Sequence, residues 1–388
     1  MRLATRMGRL GTETAFEVLV RAKALEAQGG DVVHLEIGEP DFDTPANIVR
    51  AGADALEAGW THYGPSAGQP ELREAIAAYL NRSRGTAYDA GQIIVTPGGK
   101  PVMFFLMLAL LEAGDEAIYP NPGFPIYESM IAFSGATPVP SPLREANAFS
   151  LDVDELASLI TPRTKLLVIN SPGNPTSGVL DRGQIARIAE LAVEHDLWVL
   201  ADEIYSEILY EGEHVSIATM PGMAERTVLL DGFSKTYAMT GWRLGYGAFP
   251  RELVDPVNKL MVNSVSCTSM AVQRAGIEAL TGPQDEVRAM VAAFRRRRDL
   301  MVDGLNAIEG ISCLLPKGAF YVFPNVSGTG MASKPFADLL LSEHGVASLA
   351  GTAFGAHGEG YLRLSYANSE ANLEKALGRI AEAVAAVG

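Results

Sequence analysis

The sequence predicts an α/β protein with three layers, in which helices cover both faces of a mainly parallel central sheet, and a smaller α+β domain. Two patterns carry this prediction: strand-like runs that are apolar throughout, and amphipathic helical stretches that alternate with them. Strands buried on both faces read as continuous apolar runs, and strand–helix alternation is typical of βαβ units. A chain of 388 residues has room for two or three structural units.

Four strands and two helices are predicted before residue 280. The strands are short and rich in Val, Ile and Leu, and the second helix has an apolar face formed by Ile185, Ile188, Ala189 and Ala192. The predicted strands are 92–96, 165–170, 197–201 and 227–230, and the predicted helices are 102–111 and 181–195.

After about residue 283 the pattern changes to a long charged helix and alternating strands, which indicates a second unit. We therefore divide the chain into an N-terminal arm with the start of the small domain (1–47), a large domain (48–280) and a small α+β domain (281–388). The predicted elements of the last part are a helix at 285–306, a strand at 318–323, a helix at 336–344, a strand at 361–366 and a final helix from about Glu370.

The charge balance argues against a nucleic-acid-binding protein. Thirty-one basic and 46 acidic residues give a net charge of −15, whereas nucleic-acid binders carry a basic face. The one basic run, 295–298, is interpreted as a solvent-exposed helix face. The longest apolar run, 102–111, is too short to span a membrane. The charged residues within 1–6 do not fit a secretion signal, so a cytoplasmic location is expected.

The cysteines and histidines indicate no disulfide framework and no metal site. Cys267 and Cys313 are too few for either, and their small and apolar neighbours predict buried thiols in a reducing compartment. The six histidines are scattered, and no zinc-binding motif occurs.

Polar or glycine-rich segments follow the ends of all four predicted strands, where ligands bind in open α/β sheets. They supply a possible phosphate cradle, an amide, a carboxylate with a phenol, and a lysine. The segments are 97–100 (Pro-Gly-Gly-Lys), 171–176 (Ser-Pro-Gly-Asn-Pro-Thr), 202–205 (Asp-Glu-Ile-Tyr) and 231–235 (Asp-Gly-Phe-Ser-Lys). Gly98-Gly99 alone could equally be a tight turn, but the four segments together favour a binding site.

Several common catalytic classes are excluded by their missing motifs. Ile94 stands where a Walker loop needs its first glycine, and no dinucleotide-binding G-x-G-x-x-G or hydrolase G-x-S-x-G occurs. Lys235 remains as a candidate nucleophile, because burial and a nearby cation lower the pKa of a lysine. Arg243 follows eight residues later and can hold an anion beside it.

In these segments the chain resembles the fold-type I, class I/II aminotransferases, which depend on pyridoxal 5′-phosphate. Within that family it is most similar to the bacterial aspartate aminotransferase branch. The resemblance runs nearly from end to end in family order and spacing. It rests on the segments 38–45, 63–73, 170–176, 202–205, 234–243 and 363–367.

The resemblance implies a role for each candidate residue around the cofactor. Lys235 would form the internal aldimine and shuttle a proton, Asp202 would hold the ring nitrogen, and Tyr205 with Asn174 would contact the ring oxygen. Phe124 would stack on the ring. The phosphate would be held by Gly98, Gly99, Lys100, Ser234 and Arg243, and by Tyr63 of a second subunit, so that a homodimer with shared active sites is implied.

The substrate would be an amino acid or a 2-oxo acid. By the same resemblance, Arg363 would bind its α-carboxylate through a planar fork, with Gly38 and Asn174 beside it. Asn121-Pro122 and Asn174-Pro175 fall where the family has cis peptide bonds.

Three departures from the aspartate aminotransferase pattern favour a relaxed range of amino donors or a preference for neutral or aromatic ones, with 2-oxoglutarate as a plausible acceptor. Phe124 replaces a tryptophan, Gly232 replaces a phosphate-binding serine, and residues 15–17 offer Ala, Phe and Glu where relatives use hydroxyls. Lys100 remains as a cation that could face a distal carboxylate. The same scaffold also hosts C–S β-lyases and aminocyclopropane-carboxylate synthase-like lyases, and a non-enzymatic sensor is a remote alternative.

Overall fold

The computed structural model describes residues 2–387. Within this range twelve strands and twelve α-helices are present, and the predicted alternation of the two is visible throughout. The strands are β1 (Val33–His34), β2 (Ile93–Thr96), β3 (Glu116–Asn121), β4 (Thr137–Pro142), β5 (Thr164–Asn170), β6 (Trp198–Asp202), β7 (Thr227–Gly232), β8 (Gly245–Ala248), β9 (Tyr321–Val322), β10 (Val346–Ala347), β11 (Leu349–Ala350) and β12 (Leu362–Ser365).

Some of the helix ends carry recognisable capping residues. Asp181 and Gln184 form a capping box at one helix start, and Gly85 ends another helix in the left-handed conformation. The helices are α1 (Thr14–Ala27), α2 (Ala46–Glu57), α3 (Pro70–Arg84), α4 (Lys100–Leu110), α5 (Ile126–Ser134), α6 (Val153–Leu159), α7 (Arg182–Glu194), α8 (Arg251–Val265), α9 (Met270–Thr281), α10 (Asp285–Asn306), α11 (Ser333–Ser342) and α12 (Glu370–Val387). None of the helices within residues 2–387 combines the length and apolar character needed to cross a membrane.

The central sheet has seven strands in the order β2-β8-β7-β6-β5-β3-β4. All neighbours are parallel except β8, which runs antiparallel to both β2 and β7. Successive strand residues enter different hydrophobic clusters: Leu166 and Val168 face one helical layer, whereas Leu167 and Ile169 face the other. The sheet is therefore covered on both sides, which confirms the predicted three-layer class.

The C-terminal part has its own hydrophobic cluster, which includes Phe294, Phe336, Leu364 and Ile380. Val33 from the N-terminal part belongs to the same cluster, because β1 pairs with β10 in a small parallel sheet. β9, β11 and β12 form an antiparallel sheet beside it. The domain limits at residues 47 and 280 remain a prediction.

The basic run 295–298 is only half exposed, and its interpretation as a solvated face was wrong for two of its four residues. Arg297 is buried and pairs with Asp41 at 2.7 Å, and Arg298 is buried and lies 3.2 Å from Glu211. The long aliphatic stems of these arginines extend the apolar face of α10. Cys313 is buried as predicted, but Cys267 is partly exposed.

A buried ion cluster joins the end of α3 to the ends of β6 and β7. The guanidinium of Arg84 lies 2.8 Å from Asp231 and 3.1 Å from Glu203, and all three side chains are less than 5% exposed. Glu207 adds a third carboxylate at 3.0 Å. One buried cation thus compensates carboxylates on two neighbouring strand ends, and the three segments are held in one arrangement.

We expect Arg84→Met to lower the free energy of unfolding by about 3–5 kcal/mol, because two buried carboxylates lose their counter-charge. Arg82→Met is the matched control on the same helix, where the side chain is exposed and the change should stay within about 0.5 kcal/mol. Urea titrations followed by circular dichroism measure both. Equal midpoints for the two variants would contradict a structural role for the cluster.

Candidate active site

The candidate site lies at the carboxyl ends of the central strands. Asp202 is the last residue of β6, and Lys235 follows three residues after β7 ends at Gly232. These strands are parallel neighbours, with Asp202 opposite Leu230 in the register. The sheet therefore brings the carboxylate and the amine, which are 33 residues apart in the chain, to the same edge.

Asp202 is a buried carboxylate that accepts hydrogen bonds and has no cation in an ion pair with it among residues 2–387. Its Oδ2 accepts from the Tyr127 hydroxyl at 2.5 Å, and its Oδ1 accepts from the Ile204 N–H at 3.2 Å. Burial raises the pKa of Asp202 to about 6, against the lowering effect of these two donors. A protonated ring nitrogen would supply the missing counter-charge, so the residue fits the pyridine of pyridoxal phosphate.

Lys235 is half-buried and carries an amine whose basicity is reduced. Burial lowers the pKa of Lys235 to about 8, and the negative charge of Glu39 opposes that shift only in part. The Nζ atom donates a hydrogen bond to the main-chain carbonyl of Gly38 and lies 5.9 Å from the ring centre of Phe320. With this pKa about a tenth of the amine is uncharged at pH 7, far more than for a free lysine, and the uncharged form is the one that acts as a nucleophile or accepts a proton.

Arg363, Asn174 and Gly38 come together beside this amine. Arg363 is 3% exposed, and its Nη1 lies 3.4 Å from the Asn174 side-chain oxygen. Its Nη2 donates to the carbonyl of Glu36, while its buried Nε has no hydrogen-bond partner in the part of the chain that is described. A guanidinium stacked 4.7 Å from the ring centre of Tyr321 with an unused donor fits a carboxylate ligand.

Tyr205 and Gly38 both lie next to the hydroxyl group of Tyr321. That hydroxyl lies 2.8 Å from the Tyr205 hydroxyl. A Cβ atom at Gly38 would lie 2.3 Å from the same oxygen. Position 38 therefore requires glycine, since any side chain would displace Tyr321 and close the space beside Arg363.

The glycine turn after β2 forms a cradle against Arg243. Gly98 has φ +85°, and a Cβ there would lie 2.1 Å from an Arg243 guanidinium nitrogen. Gly99 is the N-cap of α4 and leaves N–H groups of the first helical turn free for an anion. Gly245, at the start of β8, packs directly against this turn: a Cβ atom there would lie 2.5 Å from the carbonyl carbon of Gly98.

Three other residues were predicted to hold the phosphate, and their side chains make no hydrogen bond to this cradle within the described residues. The ammonium group of Lys100 points to Glu13 and lies 5.7 Å from the ring centre of Phe124, so only its main-chain N–H belongs to the helix start. Ser234 precedes Lys235 and is partly buried. Tyr63 is 88% exposed, and its role depends on a second subunit; it stays a prediction.

The peptide bonds Asn121-Pro122 and Asn174-Pro175 are both cis. Ser171-Pro172 is a third cis bond that the sequence did not indicate.

Sequence reasoning missed Tyr127, Tyr321 and Glu13. Tyr127 lies in α5 and Tyr321 in β9, both outside the strand ends that were searched. Glu13 precedes the stretch 15–17, in which Phe16 and Glu17 turn out to be exposed. Only the tyrosine in the run 318–323 had a detectable signal, as a polar-tipped aromatic in an otherwise buried strand.

Comparisons with known proteins agree with this geometry. The family model for aminotransferase class I and II matches residues 30–380. The chain is 42% identical to the arginine–pyruvate transaminase of Pseudomonas aeruginosa, over 95% of this chain and 93% of that protein. It is 44% identical to an aspartate aminotransferase of Pyrococcus abyssi, over 90% and 91%. The solved aspartate aminotransferase from Thermus thermophilus with maleate superposes with a TM-score of 0.94 at 41% identity, covering 99% of this chain and 100% of that one.

The structure is an α/β fold with a helix-covered, mainly parallel sheet, in which an amine and a buried carboxylate lie after neighbouring strands. The chain belongs to the class I and II aminotransferase family, whose members are pyridoxal phosphate enzymes. Among the two enzyme classes considered from the sequence, the aminotransferase is the one that the relatives' names support.

We expect Lys235→Met to stabilise the cofactor-free protein by about 3–4 kcal/mol at pH 7, since each pKa unit corresponds to about 1.4 kcal/mol. The folded state holds this amine with a pKa of about 8, below the 10.5 of a free lysine. The cost of burying the charge is therefore complete below pH 8 and disappears as the pH rises to 10.5.

Urea unfolding at pH 7 and pH 10 measures this difference. Lys259→Met, at an exposed position in α8, is the control and should show no such pH dependence. A Lys235→Met variant that is less stable than wild type at pH 7 would show that the amine is not strained by burial.

Proposed function

We propose that this aminotransferase binds pyridoxal 5′-phosphate between Asp202 and Lys235 and moves an amino group between an L-amino acid and a 2-oxo acid, with 2-oxoglutarate as a plausible acceptor. The observation that carries the proposal is the buried Asp202 carboxylate, which has hydrogen-bond donors but no cation in an ion pair within residues 2–387, at the same sheet edge as a lysine of lowered pKa. When bound, the cofactor supplies an aldehyde carbon and an electron-accepting ring.

Residues on four segments would hold the cofactor. Asp202 would pair with the ring nitrogen, and its hydrogen bond from Tyr127 keeps the carboxylate oriented. Tyr205 and Asn174 would contact the ring oxygen, and Phe124 would cover a ring face. The phosphate would be bound by Gly98, Gly99, the Lys100 N–H, Ser234 and Arg243.

Lys235 would carry the proton that transamination moves. Its lowered pKa lets Nζ accept a proton from the substrate α-carbon near neutral pH and return it afterwards. The carbonyl of Gly38, which accepts a hydrogen bond from Nζ, restricts where the amine can point. The burial that lowers the pKa also limits water near this amine.

Arg363 would bind the α-carboxylate of the substrate. It is already held by Glu36, Asn174 and the ring of Tyr321, so little freedom is lost when a ligand binds. The unused Nε supports a two-point contact with a carboxylate, which fixes the orientation of the bound amino acid.

A second subunit is part of the proposal. Tyr63 is 88% exposed, and Trp60, three residues before it, is 38% exposed. Large apolar side chains left in solvent are common at interfaces. We propose a homodimer in which Tyr63 of one subunit reaches the phosphate of the other.

Three measurements on the purified protein test the function. Absorbance near the band of a lysine-bound pyridoxal phosphate should change when an amino acid is added, and borohydride reduction followed by peptide mapping should label Lys235. Product analysis with aspartate, alanine, phenylalanine and glutamate should give a 2-oxo acid without free ammonia. Labelling of another lysine would overturn the assignment, and release of ammonia with pyruvate would indicate a lyase.

We expect Arg363→Lys to reduce kcat/KM by about a hundredfold or more, because lysine keeps the charge and loses the two-point fork. The exposed Arg296→Lys is the control and should leave kcat/KM unchanged. Steady-state kinetics with the best donor of the panel measure both variants. Turnover of Arg363→Lys close to that of wild type would contradict its role in substrate binding.

A further inference from the structure

A second cavity lies between the end of α3, the start of α10 and the segments that follow β6 and β7; we call it the α3–α10 cavity. Its volume is about 560 Å³, which is within the usual range for small-molecule pockets. Among the described residues that line it, none is assigned above to the cofactor or the substrate. The cavity is therefore separate from the candidate active site.

Two buried residues of the α3–α10 cavity carry hydroxyl groups without partners. Thr236 and Tyr237 both line the cavity, and each is only 4% exposed. Neither hydroxyl makes a hydrogen bond within residues 2–387, in contrast to Tyr79 of the same lining, whose hydroxyl donates to Glu207 at 2.6 Å. Buried polar groups are normally hydrogen-bonded. A polar group of a bound ligand would satisfy this pair.

The open side of the cavity carries guanidinium groups, two of which have no counter-charge. Arg82, Arg288 and Arg295 line the cavity and are exposed. Arg82 and Arg295 form no ion pair in the described part of the chain, whereas the three arginines that follow Arg295 all do. The one carboxylate in the described lining, Glu207, is already held by Arg84 at 3.0 Å. This side of the cavity therefore favours an anion.

The walls between the arginines and the two hydroxyl groups are apolar and aromatic. Leu209, Leu280 and Val291 contribute aliphatic surface. The guanidinium carbon of Arg82 lies 6.0 Å from the ring centre of Tyr79, so a cation and an aromatic ring are neighbours at the opening. Such walls suit the flat body of an aromatic ligand, and a guanidinium suits its carboxylate.

The α3–α10 cavity lies far from the segment through which two subunits are proposed to meet. α9 begins beside that segment, since a Cβ atom at Gly64 would lie 2.2 Å from the sulfur of Met270. The cavity is at the other end of α9, and at 1.5 Å per residue the 12 residues of this helix span about 18 Å. A ligand can therefore enter the cavity without separating the subunits.

We propose that the α3–α10 cavity is a second ligand site and takes an aromatic monoanion. The carboxylate of this ligand pairs with Arg82 and Arg295. Its far end bears a hydroxyl or carbonyl group that forms a hydrogen bond with Thr236 or Tyr237. The inference does not depend on the proposed function, because no residue of the candidate active site takes part in it.

Three ligands separate the effect of the charge from that of the far-end hydrogen bond. 6-Hydroxy-2-naphthoate carries both groups, 2-naphthoate lacks the hydroxyl, and 2-naphthol lacks the carboxylate. Titration calorimetry on the purified holoenzyme should give about one 6-hydroxy-2-naphthoate per chain. Its affinity should exceed that of 2-naphthol by about tenfold and that of 2-naphthoate by about fivefold.

Variants of the lining locate the bound ligand. The double variant Arg82→Gln/Arg295→Gln should weaken binding of 6-hydroxy-2-naphthoate by about tenfold. Tyr237→Phe should remove most of the preference for this ligand over 2-naphthoate, because only a hydroxyl is lost. Arg296→Gln is the matched control on α10, since that side chain pairs with Glu370 and is not part of the described lining; it should bind the ligand as wild type does.

Arg363→Lys separates this cavity from the candidate active site and should bind 6-hydroxy-2-naphthoate with the affinity of wild type. Loss of binding in Arg363→Lys with retention in the double variant would place the ligand at the active site and overturn the inference. Equal affinities for the three ligands, absence of saturable binding, or dissociation of the subunits during the titration would also overturn it. Absence of transamination with every donor would overturn the proposed function and leave the calorimetric result in force.

Discussion

The structure depends on one electrostatic constraint: charged groups are held at the ends of buried parallel strands, where water cannot compensate them. Asp202 and Lys235 occupy two such ends and both have shifted pKa values for the same reason, the cost of burying charge. The sheet can hold them because the surrounding strands are apolar on both faces. Strain of this kind is typical of sites that are completed by a ligand.

A second set of buried charges keeps these ends in place. Glu203 and Asp231 come from the same two strands as Asp202 and Lys235, and Arg84 links them. Each carboxylate of the cluster accepts a hydrogen bond from Arg84, so the cluster holds these segments together through contacts within the chain. The two sets differ in role. Asp202 has no ion-pair partner in the described range 2–387 and is available to a ligand, whereas Glu203 and Asp231 are paired with Arg84.

Local patterns predicted six of the twelve strands and five of the twelve α-helices in the described range 2–387, because hydrophobic periodicity is a local property. The predicted helix from 285 to about 306 coincides with α10, and the strands predicted at 197–201 and 227–230 from apolar runs end within two residues of the ends of β6 and β7. Contacts between distant segments were not visible: Arg84 and Asp231 are 147 positions apart, and nothing near Arg297 in the chain indicates its pairing with Asp41. The same holds for Glu13 and Lys100. The roles of individual site residues came from the resemblance to a family, not from periodicity.

The reversed strand β8 has a consequence for how such a site can diversify. It inserts between β2 and β7, so the glycine turn at Gly98, the start of β8 at Gly245 and the segment leading to Lys235 abut with no side chain between them. This joint is too crowded to accept even a methyl group without rearrangement. A change in the range of accepted molecules therefore has to come from side chains outside this glycine-lined joint.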